Sequence, residues 1–167
     1  MSTWRTVSHI VAEPPPPDWR QQLAARLGQR PRRIGAWTEL ALFGALQCLD
    51  AAGEAQLPAG AQLRVASLVG PRSAARAIVE QGHAGLPMPF SFMQSQPSQM
   101  LAALGQHLGW RGDARFVLGR DRQAVLQLAL QESGPAGLLI GWVEEDQSTE
   151  WWRLVWQPTE LPQHTAG

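Results

Sequence analysis

Residues 87–132 read PMPFSFMQSQPSQMLAALGQHLGWRGDARFVLGRDRQAVLQLALQE, and the succession of elements in this stretch decides the fold. It opens on a tight loop, Gly85–Ser95, whose Phe90, Phe92 and Met93 make it more apolar than a solvent-facing loop. Such a loop either packs within its own chain or meets a partner. From Ser98 onward, Met100, Leu101, Leu104 and Leu108 recur at helical spacing and form one stripe, with Gln99, Gln106 and His107 off it. Gly109–Asp113 makes a turn, ARFVLG a short strand, and Asp121 caps a helix running to Ser133. In that helix Ala124, Val125, Leu126, Leu128, Ala129 and Leu130 leave almost no polar face.

Upstream, LRVASLVG (Leu63–Gly70) is a β-branched run closed by Gly-Pro, and an amphipathic helix follows from Ser73 to Gln81. Gly82 is expected to stop it, leaving His83 in a loop. Strand followed by helix, twice over, is the alternation of parallel α/β architecture. Ile34–Ala52 is a helix interrupted only by Thr38, Glu39, Gln47 and Asp50, so it must be covered on more than one face. Two helices this apolar imply a layered sheet with buried helices. Arg30, Arg32 and Arg33 stand just before the first of them, at the positive end of the helix dipole, where cations are mildly unfavourable. A phosphate or an acidic carrier protein would suit them, and a solvated basic turn accounts for them equally.

Residues 1–17 are read as a strand, Trp4–Val11, and a stiff connector, Pro14–Pro17, which lacks the N–H donors of helix or sheet. Asp18 is the expected N-cap of a short helix that Gly28 ends. Downstream, LLIGWV (138–143) is a buried strand, EEDQ a turn, and WWRLVW (151–156) an edge or returning strand. Side chains alternate along a strand, so Trp151, Trp152 and Trp156 cannot all face one core. Residues 158–167 are expected to fray.

At 167 residues and 44 % hydrophobic composition, the sequence is expected to form one domain over 1–167. Its 14 basic and 14 acidic residues balance, which leaves no electrostatic footprint for nucleic acid or an anionic membrane. No apolar run is long enough to span a bilayer and no signal-peptide pattern opens the chain, so the expected location is the cytoplasm. Cys48, the only cysteine, lies in an apolar helix and is read as core. The histidines at 9, 83, 107 and 164 have no ligand-spaced partners, and neither GxGxxG nor a P-loop occurs. No metal or other cofactor is expected.

In order and spacing, these elements resemble the N-terminal half of β-ketoacyl synthases, the thiolase-fold condensing enzymes. Arg30–Gly53 is similar to the helix that opens that half, and Leu63–Gly70 to the strand after it. Pro89, Phe90 and Ser91 are similar to the loop approaching the nucleophile, and Ala136–Glu145 to a strand ending in an acidic pair. The resemblance implies an α/β thiolase-like half-fold. It also puts Leu118 of RFVLGRDRQAV, or Gly119 with a one-residue shift, where the family carries its acyl-accepting cysteine.

A condensing enzyme needs a thiolate to take the acyl chain and two basic nitrogens to activate the donor and hold the oxyanion. Neither Leu118 nor Gly119 can be acylated, and the family's two histidines belong to a C-terminal half not found in this sequence. The resemblance therefore implies a non-catalytic role of chain-length-factor type. The expected partner is an active β-ketoacyl synthase or a second copy, with acyl carrier protein as a further contact, in a fatty-acid, polyketide or aryl-polyene system. In the family, the loop and strand beside the nucleophile lie at the two-fold interface, so Phe90, Phe92, Met93 and Phe116, with Met100 and Leu104 behind them, are the candidate partner surface. The alternative is an independent small α/β enzyme or ligand-binding module. Ser91, Ser95 and Ser98 show no GxSxG turn and no acid-oriented histidine to serve it.

Overall fold

A computed structural model describes residues 3–145 and 147–158. Five strands and six helices alternate: β1 (Thr3–Ala12), α1 (Trp19–Leu27), α2 (Ala36–Ala52), β2 (Gln62–Ser67), α3 (Arg72–His83), α4 (Pro89–Gln94), α5 (Pro97–His107), β3 (Ala114–Leu118), α6 (Arg122–Glu132), β4 (Leu138–Glu144) and β5 (Ser148–Gln157). The strands form one mixed sheet in the order β1-β5-β4-β2-β3. β3, β2 and β4 run parallel, and β5 is antiparallel to both β4 and β1.

Handedness distributes the helices. The path from β2 to β3 moves outward and the path from β3 to β4 moves back past β2, so right-handed crossovers require the two connections on opposite faces. Accordingly α5 joins α1 and α2 over one face, where Leu63, Val65, Leu139, Val143 and Trp151 share a core with Trp37, Leu40, Leu49, Met100 and Leu104. The other face carries a smaller cluster, in which Ala66, Leu138, Ile140, Trp142 and Leu154 meet Val125 and Ala129 of α6.

α2 is buried from Trp37 to Leu46 and again at Cys48 and Leu49, as its all-round apolar sequence requires. The same expectation fails for α6, where only Val125 and Ala129 are buried. Its outer side exposes Gln123, Gln127 and Gln131 at i, i+4 and i+8, together with Leu128. One layer covers α6 instead of two, and the glutamine stripe solvates the remainder.

Four local readings need correction. The Gly85–Ser95 loop contains a helical turn, α4, because Pro89 occupies N1, where its fixed φ favours a helix and its missing N–H removes no bond. Gly82 does not end α3, which runs on through His83 and closes at Gly85 with φ 66°. Asp18 does not cap α1 with its side chain; its carboxylate instead accepts from Gln22 Nε2 at 3.0 Å. β5 is an interior returning strand and not an edge. Its indoles divide as alternation demands, with Trp151 buried and Trp156 exposed. The tail expected to fray, 158–167, lies outside the described residues apart from Pro158.

Two buried arginines tie strand ends to their neighbours. Arg64 of β2 donates from Nη2 to Asp113 Oδ2 at 2.8 Å, which pins the start of β3. Arg153 of β5 donates from Nε to Glu54 Oε2 at 2.6 Å, which holds the segment after α2. Pairs of this kind fix register more than they add stability.

Candidate functional site

Among the described residues β3 pairs only with β2, which leaves its outer edge unpaired. Along this strand Phe116 turns inward, its ring perpendicular to that of Trp37 at 5.4 Å between centroids. Trp37 is fixed in turn by donating from Nε1 to Val143 O at 3.0 Å. Two residues on, at the strand end, Leu118 is 66 % exposed. The ladder to β2 continues one bond further, with Gly119 N donating to Ser67 O at 3.1 Å.

Two other segments expose further apolar side chains. Leu68 and Val69 follow the end of β2, and Phe90, Phe92 and Met93 stand on α4, all of them exposed. Phe90 is the more open of the two phenylalanines of α4, at 64 %. Met100 and Leu104 are fully buried; they seat α5 on the sheet and support the surface from behind. The sequence-selected residues thus divide by depth. Phe90, Phe92 and Met93 are surface, Phe116 is half-buried, and Met100 and Leu104 are core.

Sequence reasoning passed over Leu68 and Val69. Their signal lay in LVG-P, where two aliphatic residues continue past the end of β2. The acidic pair at the end of β4 holds this loop in place. Glu144 accepts from Ser67 Oγ at 3.1 Å and from the amide of Leu68, and Ser67 Oγ accepts from Gly70 N at 2.7 Å. Glu145 accepts from Ser73 N at 2.7 Å and from the Ser73 hydroxyl, capping α3 from another strand.

The nucleophile chemistry of a condensing enzyme has no counterpart at Leu118, an aliphatic side chain facing outward. Cys48 is fully buried, and its Sγ lies 3.2 Å from Ser8 Oγ. Burial pushes the thiol up, and the Ser8 hydrogen bond offsets only part of that rise. A thiol held protonated in a core is neither nucleophile nor ligand.

The fold is similar to that of solved ketosynthase structures. A chain of the ketosynthase ApeO in complex with its chain length factor ApeC, from Xenorhabdus doucetiae, superposes with a TM-score of 0.65 at 13 % identity, over 92 % of this chain and 79 % of that one. The chain has a thiolase-like ketosynthase fold. The ishigamide ketosynthase/chain length factor matches with a TM-score of 0.59 at 14 % identity, over 83 % of this chain and 46 % of that one. No family model matches the sequence, and no curated protein does. No helix among the described residues is long and apolar enough to cross a membrane.

Proposed function

We propose that this protein is a catalytically silent, chain-length-factor-type subunit that pairs with an active β-ketoacyl synthase. The observation that carries the reading is the β3 edge, unpaired among the described residues, with exposed Leu118, Leu68 and Val69 at the adjoining strand ends, together with exposed Phe90, Phe92 and Met93 on α4. An unpaired strand beside uncovered apolar side chains is a template for a second chain, and the strand's own amides and carbonyls supply the hydrogen bonds. A partner strand laid on β3 would cover Leu118, and the exposed α4 aromatics would serve as further anchors. The similarity to a ketosynthase bound to its chain length factor supports a ketosynthase as that partner. Leu118, which can take no acyl group, supports the silent role. Service in a fatty-acid, polyketide or aryl-polyene system, with contact to an acyl carrier protein, belongs to the same proposal.

Co-expression with tagged type II ketosynthase subunits, followed by size exclusion with light scattering, tests it. A 1:1 heterodimer that Phe92→Ala weakens is the expected result. A stable homodimer that takes up no ketosynthase, or a monomer that binds none, would overturn the heteromeric reading.

A further inference from the structure

We draw no further inference here: the strongest candidate, the groove between the second half of α6 and the edge-to-face indoles of Trp4 on β1 and Trp156 on β5, is an uncharged, largely apolar face, and nothing in the structure shows what covers it.

Discussion

The indole of Trp151 occupies the space that a side chain on Gly141, its cross-strand neighbour, would need. The same ring leaves no room for a Cβ at Gly44, where α2 crosses the sheet. Trp151 is fully buried and donates from Nε1 to Thr149 Oγ1 at 2.9 Å, so it has no easy way to move aside. Gly141→Ala and Gly44→Ala should each lower unfolding free energy by about 1–3 kcal/mol, the usual cost of overpacking a core. Urea denaturation measures this, and a loss under about 0.5 kcal/mol in both would mean that α2 shifts freely on the sheet.

Phe92 and Phe116 should separate under the same substitution. Phe92 is 58 % exposed, so Phe92→Ala should weaken partner association and leave the thermal transition of the isolated chain nearly unchanged. Phe116 packs on Trp37, and Phe116→Ala should cost about 2 kcal/mol of stability before any partner is added. Equal destabilisation by the two would assign α4 to this chain's own core.

Incubation with acyl carrier-protein thioesters should leave the intact mass unchanged, since Cys48 is buried and its thiol held protonated. Leu118→Cys places a thiol at an exposed site and should alkylate with iodoacetamide, yet the variant alone should form no carbon–carbon bond. Condensation by that variant, or an acyl adduct on Cys48, contradicts the silent role.

The pair of Arg64 with Asp113 predicts an acid dependence of stability. Arg64's hydrogen bond, reinforced by its charge and that of Arg115, holds the Asp113 carboxyl below the usual carboxylate range. Because the folded-state value lies below the unfolded one of about 3.9, the contribution is fully present above that pH and is lost as pH falls through the folded value. Asp113→Asn should therefore be less stable than wild type near neutrality, and the difference should shrink on acidification below about pH 4. A difference independent of pH would show that the pair contributes through packing alone.

Much of the scaffold was legible without coordinates. α2 declares its burial because polar residues interrupt it at only a few positions, and Cys48 is core for the same reason. The runs read as strands at 63–70, 138–143 and 151–156 hold strands at 62–67, 138–144 and 148–157, and alternation puts Trp151 on the opposite face from Trp152 and Trp156. Local periodicity and propensity suffice for these, since each depends on residues within one element.

What the tertiary structure decided depends on how many layers exist and what lies beside what. α6 reads as apolar on nearly every side, yet it is half solvated, because a single sheet covers it and the line of glutamines at 123, 127 and 131, already set by helical spacing, faces away from that sheet. Leu68, Val69 and Leu118 are far apart in sequence and become neighbouring strand-end residues because β2 and β3 pair in parallel with Ser67 opposite Leu118. Asp18 is a good cap by residue type, yet its carboxylate goes to Gln22.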